Sequence, residues 1–276
     1  MIKAFVAGHP IAHSRSPLIH GHWLAEHGIA GSYERIDVAP SDFPAFLRGL
    51  RESGFRGGNV TIPHKEAAFA LADTLTPRAE KIGAVNTLIV AEDGRVHGDN
   101  TDAPGFCAHL DHSLGAEWPG RGEAVILGAG GAARAIVVGL AERGVARIRV
   151  ANRTPERAAA VAALAPGVAE PLAWDDLSSA LEGAGLVVNT TSLGMKGQPP
   201  LALDLAPLPA GAAVADIVYA PLETDLLAAA RRRGLAAVDG LGMLLHQAVP
   251  GFAAWFGVRP EVTAALRDRI VADLAT

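Results

Sequence analysis

Apolar residues along this chain fall into short runs that alternate between strand and helix spacing. Ile2 to Ala7 reads as a strand, Leu18 to His27 as an amphipathic helix and Ser32 to Val38 as a second strand. Ser16 before Pro17 predicts the cap of the first helix, with proline in its first turn, and Ser41-Asp42 signals a helix over Phe43 to Glu52. From Asn59 to Ile62 the residues alternate: Val60 and Ile62 face one side, Asn59 and Thr61 the other, and Pro63 ends the pairing. A helix from Lys65 to Ala72 follows. Ala84 to Val90 and Arg95 to Gly98 flank Glu92-Asp93-Gly94, a strong hairpin signal. Asp99-Asn100-Thr101-Asp102 then leads into a helix from Ala103, with Thr101 or Asp102 as the expected cap.

The clearest pattern lies further on. Ala124 to Leu127 is an apolar run ending at Gly128-Ala129-Gly130-Gly131-Ala132-Ala133; helical spacing continues from Ala132 to Arg143, Gly144 closes it, and Arg147 to Ala151 is extended. This is a βαβ unit. Glycine after the first strand allows a tight turn and lets backbone N–H groups approach a pyrophosphate at the helix N-terminus. Ala133 stands where the dinucleotide fingerprint accepts Gly or Ala. An NAD site usually adds an acid about 20 residues on, to hold the ribose hydroxyl. Here the second strand leads to Asn152-Arg153-Thr154, with Arg157 one turn later and no carboxylate before Glu156. A guanidinium clamps a 2′-phosphate with paired hydrogen bonds, so NADP(H) is the expected cofactor. Helices over Thr154 to Leu164, Trp174 to Leu181 and Thr224 to Arg233 then alternate with strands over Gly185 to Asn189, Ala212 to Ile217 and Ala236 to Val238, before the last helices.

Composition narrows the partners. The 276 residues are comfortable for two domains, and 50% hydrophobic with 19% charged is an ordinary globular balance. A net charge of −5, with no basic block longer than Arg231-Arg232-Arg233, argues against nucleic acid. No run approaches the roughly 18 apolar residues of a membrane span, and no basic leader precedes Ile2, so a cytoplasmic protein is expected. Cys107 is the one cysteine, which excludes an internal disulfide and a cysteine metal cluster.

Candidate chemistry gathers in the loops. Ser14 and Ser16 place two hydroxyls beside a helix start, suiting a ligand rich in hydroxyl or carboxylate oxygens. Thr61 and Lys65 lie at a strand's carboxyl end, where ligands bind in open α/β sheets. Only Lys3, Lys65, Lys81 and Lys196 are lysines among 24 basic residues. Lys65 opposes the macrodipole of its helix, at a cost of about 0.3–1 kcal/mol, which implies another reason for its presence. Asp99 and Asp102 supply more carboxylate than a cap needs. Gln247 interrupts an apolar helical run as either a satisfied core group or a ligand contact.

In order, GHPIAHSRSP (8–17), GNVTIPHK (58–65), GAVNTL (83–88), GDNTDA (98–103), GAGGAA (128–133), NRT (152–154), NTTSLGM (189–195) and DGLGML (239–244) resemble the shikimate dehydrogenase family, over the whole chain. The resemblance implies an α/β protein of two domains: an N-terminal substrate domain (1–103), a Rossmann-type NADP-binding domain (104–240), and C-terminal helices (241–276) returning to the substrate domain, with a cleft where the domains meet. It implies NADP-dependent interconversion of 3-dehydroshikimate and shikimate in aromatic amino acid (chorismate) biosynthesis, without a metal, by a monomer or homodimer. Ser14, Ser16, Thr61, Asn86, Asp102, Tyr219 and Gln247 would contact the substrate, and Lys65 would transfer the proton with Asp102 as partner. Gly128, Ala129, Gly130, Gly131, Ala132, Asn152, Arg153, Thr154 and Arg157 would hold NADP(H). Thr190 to Leu193, Ile217 and Gly240 would line its nicotinamide. Two positions depart from the family pattern: Ala103 replaces the glycine after Asn100-Thr101-Asp102, and Thr190 replaces a common alanine. Related activities on quinate or an aminated shikimate stay open, although quinate relatives commonly read the ribose with an acid that this chain lacks.

Overall fold

The computed structural model describes residues 1–275. Its first compact unit comprises Met1–Asp102 and Gln247–Asp273; the second spans Ala103–His246. The first begins β1 (Ile2–Gly8), α1 (Ser16–Glu26), β2 (Gly31–Asp37), α2 (Phe43–Gly49), β3 (Phe55–Val60), α3 (Lys65–Leu71). It continues β4 (Thr74–Leu75), α4 (Pro77–Ile82), β5 (Thr87–Val90) and β6 (Val96–Asp99). The strands form one mixed sheet in the order β2-β1-β3-β5-β6-β4, parallel from β2 to β3 and antiparallel through β5 and β6. Ala4 to Ala7 are buried on both faces, as a central strand with covered faces requires. Phe5 packs edge-on against Phe46 and Phe55 in a core with Phe43, Leu47, Val60 and Leu88.

The second unit is wound from α5 (Asp102–Leu114), β7 (Glu123–Leu127), α6 (Gly131–Glu142), β8 (Ile148–Ala151), α7 (Pro155–Ala162) and β9 (Ala169–Leu172). α8 (Leu177–Leu181), β10 (Ala184–Asn189), β11 (Ala213–Asp216), α9 (Asp225–Arg232) and β12 (Ala236–Val238) complete it. All six strands are parallel, in the order β12-β11-β10-β7-β8-β9. Strand periodicity divides β7 between two cores: Ala124 and Ile126 enter one cluster, Val125 and Leu127 the other. α6 comes close to α5 at Gly139, where a Cβ would lie 3.1 Å from Cys107 Sγ. The thiol there is buried, and desolvation pushes it up to about 12. No helix among the described residues is long and apolar enough to cross a membrane.

The C-terminal helices are α10 (Gly240–Phe256) and α11 (Ala264–Leu274). Within the first unit, Trp255 Nε1 donates to Leu88 O at 2.9 Å and Trp23 Nε1 to Glu261 O at 3.0 Å, fixing the returning chain.

Several local expectations are corrected. α1 begins at Ser16 with Arg15 in the cap position; the Ser14 hydroxyl, not Ser16, accepts the amide of Ser16 at 3.3 Å. Asn100 Oδ1 receives the Asp102 amide at 3.1 Å, and the Thr101 hydroxyl faces Asn86 and Thr87. The helix over 43–52 ends at Gly49 and tightens into a 3₁₀ turn, Leu50–Glu52. β4, α4 and β9 were not visible in the pattern.

His20 is fully buried, stacked on Tyr33 at 3.9 Å and bordered by Trp23 and Phe252. Desolvation lowers its pKa to about 3, so the ring is neutral. Unfolding frees it to bind a proton below its ordinary value near 6.5, whereas the folded ring does so only near 3. Stability therefore declines as pH falls through that window, by up to about 1.4 kcal/mol per pH unit from this group. His20→Phe, which keeps the stacking, is expected to lose less stability than the parent between neutral pH and about pH 5, measured by denaturant midpoints. Equal losses would assign the acid sensitivity to other groups.

Candidate functional site

Asn86 lies just before β5 and is 3% exposed, so each of its amide atoms needs a partner. Its Oδ1 accepts the backbone N–H of Thr101 at 2.8 Å. Its Nδ2 donates to Asp102 Oδ1 at 2.8 Å and to Gln247 Oε1 at 3.3 Å. A backbone donor on one side and a carboxylate on the other fix which end is oxygen.

Asp102 turns its other oxygen, Oδ2, to Lys65 Nζ at 2.5 Å, where the two side chains are 7% and 18% exposed. The ion pair accounts for a lysine placed at the N-terminus of α3 against the macrodipole. His64, just before it, bonds Val38 O at 2.7 Å and stacks on Phe43. That contact seats the helix start.

Behind this cluster runs a neutral chain absent from the sequence reading. Asn59 Nδ2 donates to Asn86 O at 3.1 Å, and Asn59 Oδ1 accepts the Tyr33 hydroxyl at 2.6 Å. Burial pushes the Tyr33 phenol well above its ordinary value, keeping it a donor. Asn59 was legible as a polar residue on the Thr61 face of its strand; Tyr33, a strand away, carried no such signal.

The other substrate candidates are placed separately. Ser14 O accepts Arg35 Nε and Nη2 at 3.0 and 2.6 Å, pinning the loop that carries Ser14 and Ser16. Thr61 follows β3 with its amide on Ala7 O at 2.9 Å; its hydroxyl has no hydrogen bond among the described residues. Tyr219 is half-buried in the loop after β11, in the second unit. Thus Lys65, Asn86, Asp102 and Gln247 are bonded together; Ser16, buried at the start of α1, joins the chain behind them through a side-chain hydrogen bond with Tyr33, whereas Ser14 and Thr61 are loop groups outside that cluster.

In the second unit, Gly128 adopts φ +105°, a left-handed conformation suited to glycine, and a Cβ there would meet Thr190 Oγ1 at 2.7 Å. The Thr190 hydroxyl instead donates to Leu127 O at 2.7 Å. At Gly130 and Gly131 a Cβ would meet no atom within 4 Å, and no side chain caps α6. The turn is an open cradle of amides, electrostatically suited to phosphate. Asn152 Nδ2 holds the next turn through Thr154 O at 3.1 Å, while Arg153 and Arg157 are exposed, without an ion pair among the described residues. Gly240 sits against Ile217, whose O would lie 2.3 Å from a Cβ. Gly242 likewise admits the His109 ring, whose Nε2 donates to Asp239 O at 2.9 Å.

Comparison with known proteins identifies three matched regions: a shikimate dehydrogenase substrate-binding domain (6–88), a shikimate/quinate 5-dehydrogenase model (119–195) and a shikimate 5′-dehydrogenase C-terminal domain (240–267). The chain is 82% identical to shikimate dehydrogenase (NADP(+)) of Methylobacterium radiotolerans over 275 residues, covering 99% of this chain and 98% of the relative. It is 61% identical to the enzyme of that name from Mesorhizobium japonicum, covering 99% of this chain and 96% of the relative. A Thermus thermophilus shikimate 5-dehydrogenase solved with NADP(H) and shikimate matches with TM-score 0.87 and 39% identity, covering 99% of this chain and 100% of that one. A Corynebacterium glutamicum quinate dehydrogenase solved with NAD matches with TM-score 0.90 and 32% identity, covering 98% and 99%.

Asn86→Ala would strand the Thr101 amide and remove a donor from Asp102. The expected cost is about 1–3 kcal/mol for each buried group left unpaired, read as a lowered denaturant midpoint. A variant as stable as the parent would show that the amide is dispensable to the cluster.

Proposed function

Since this chain belongs to the shikimate dehydrogenase family, we propose that it is an NADP-dependent oxidoreductase that reversibly reduces 3-dehydroshikimate to shikimate in aromatic amino acid (chorismate) biosynthesis. The observation that carries the reading is the Lys65–Asp102 pair at 2.5 Å, held by Asn86 and largely sheltered from water. The compact units are in keeping with a substrate part built from the N-terminal residues and the returning C-terminal helices and an NADP part between them, although residues 241–246, expected with the substrate part, group with the second unit. A chain with one buried thiol suits the reducing cytoplasm.

Bound NADPH supplies the hydride. Gly128, Ala129, Gly130, Gly131 and Ala132 would hold its pyrophosphate, because the cradle at Gly130 and Gly131 is open. Arg153 and Arg157, with Asn152 and Thr154 shaping the turn, would hold the 2′-phosphate. Thr190, Ile217 and Gly240 would line the nicotinamide.

As the ketone is reduced, charge grows on its oxygen; the Lys65 ammonium stabilises that charge and gives up a proton to it. Asp102 keeps the ammonium aimed. In the reverse direction Lys65 receives the hydroxyl proton. Ser14, Ser16, Thr61, Asn86, Tyr219 and Gln247 are hydroxyl and amide groups suited to the substrate's carboxylate and hydroxyls. Preference for quinate is the second reading, supported by the likeness to the quinate dehydrogenase; Arg153 without a neighbouring acid favours NADP(H) and shikimate.

Purified protein is expected to oxidise NADPH when given 3-dehydroshikimate, and to act on shikimate with NADP more efficiently than on quinate. Consumption no faster than an enzyme-free control would sink the reading. Lys65→Ala is expected to lower turnover by about 10²–10⁴ while NADPH binding persists, and Lys65→Arg to stay slow because guanidinium retains its proton. Arg153→Ala should weaken NADPH by about 10–100-fold with little change for NADH, measured by fluorescence titration. Equal weakening of both cofactors would make the arginine structural.

A further inference from the structure

Away from the Lys65 cluster, a second buried polar hub stands at the carboxyl ends of β10 and β11. Asp216 is 1% exposed, and desolvation raises its pKa. Three donors converge on it. Asn189 Nδ2 and the Val218 amide each reach Oδ1 at 3.0 Å, and the Thr224 hydroxyl reaches Oδ2 at 2.8 Å.

Asn189, fully buried, extends the hub in the other direction. Its Nδ2 also donates to Leu193 O at 3.1 Å, while its Oδ1 accepts the Thr191 amide at 3.0 Å and the Thr191 hydroxyl at 2.7 Å. The Thr191 hydroxyl in turn accepts the Leu193 amide at 3.1 Å. Asn189 O accepts the Ile217 amide at 3.1 Å. Thr224 caps α9 by accepting the Leu227 amide at 3.3 Å. One carboxylate and one amide thus define the shape of the loops 190–193 and 217–219. Neither loop has a sheet ladder of its own to hold it.

We propose that Asn189 and Asp216 are positioning residues that set these two loops, and through them the nicotinamide end of the cofactor and the Tyr219 contact to substrate. The inference rests on the functional reading above, since those loops carry Thr190, Ile217 and Tyr219. Hydride transfer depends steeply on alignment, so loops displaced by an ångström slow turnover even where the cofactor still binds. Affinity for NADPH comes largely from its phosphates, held at the glycine turn and Arg153; Thr190 and Thr191 pack against Gly128, but the hydrogen bonds of Asn189 and Asp216 run to the loops 190–193 and 217–219 and to Thr224, not to the amides of the glycine turn or to Arg153. The hub therefore acts on kcat more than on cofactor binding. A purely structural hub would instead lower stability and leave the kinetic constants alone.

The test compares Asn189→Ala, Asp216→Ala and Asp216→Asn in the full-length protein, below each variant's unfolding temperature. Denaturant midpoints, NADPH titrations, and kcat and KM for 3-dehydroshikimate are measured together. The two alanine variants are expected to lose about 10–100-fold in kcat with NADPH affinity within about threefold of the parent. Asp216→Asn keeps an oxygen for Asn189 and Val218 and is expected to recover most of that loss. Variants that are less stable yet retain the parent's kcat and KM would overturn the proposal, as would Asp216→Asn performing no better than alanine. If Asp216→Ala does not fold, the same comparison runs on Asn189→Ala and Asp216→Asn. A parent protein that fails to turn over 3-dehydroshikimate fails the functional reading instead, which separates the two outcomes.

Discussion

Burying a carboxamide at the end of a strand obliges the chain to provide partners for its oxygen and its nitrogen, and at Asn86 that obligation orders everything around Lys65. The Thr101 amide claims one end, the Asp102 carboxylate the other, and the chain turning into α5 has no freedom left. Asp102 then presents its second oxygen in a fixed direction, and the ammonium of Lys65 follows it. Leaving one such buried group unpaired costs about 1–3 kcal/mol, comparable with a large part of a domain's net stability. The Lys65–Asp102 pair is held in one arrangement by the polar atoms behind it, each of which has its partner.

The same logic recurs at Asn189, which orders loops at the carboxyl ends of a fully parallel sheet. Parallel strands send their connections out at one edge, where the ladder stops and side chains must take over its work. In both units an asparagine near a strand end, paired with an aspartate, does so. This explains how irregular segments reach the definition that chemistry requires while the strands beneath them consist of ordinary apolar residues.

Much of this was legible in the sequence where the cause is local. The βαβ unit announced itself because an apolar run, a glycine turn and a helical repeat all lie within a few dozen adjacent residues. Lys65 stood out through its conflict with the helix dipole, and its motif came with a recognisable neighbourhood. What escaped has long-range causes. The turn before α1 is held by Ser14 and by Arg35 from β2, so local capping rules misplaced the role of Ser16. β9 contains Pro171, tolerated at the sheet's outer edge and contrary to strand propensity. β4 has two residues and exists only by pairing with β6. Tyr33 and Asn59 meet across the sheet, as Asn189 and Asp216 do, and nothing in their spacing reveals the meeting.

The lone thiol has a practical meaning beyond packing. Cys107 is buried beside Gly139, and desolvation raises its pKa to about 12, so the nucleophilic thiolate is disfavoured at neutral pH. Peroxides and alkylating reagents find little to react with. The native chain is consequently a silent background in which a single cysteine introduced on an exposed loop would take up a fluorophore or spin label without competition.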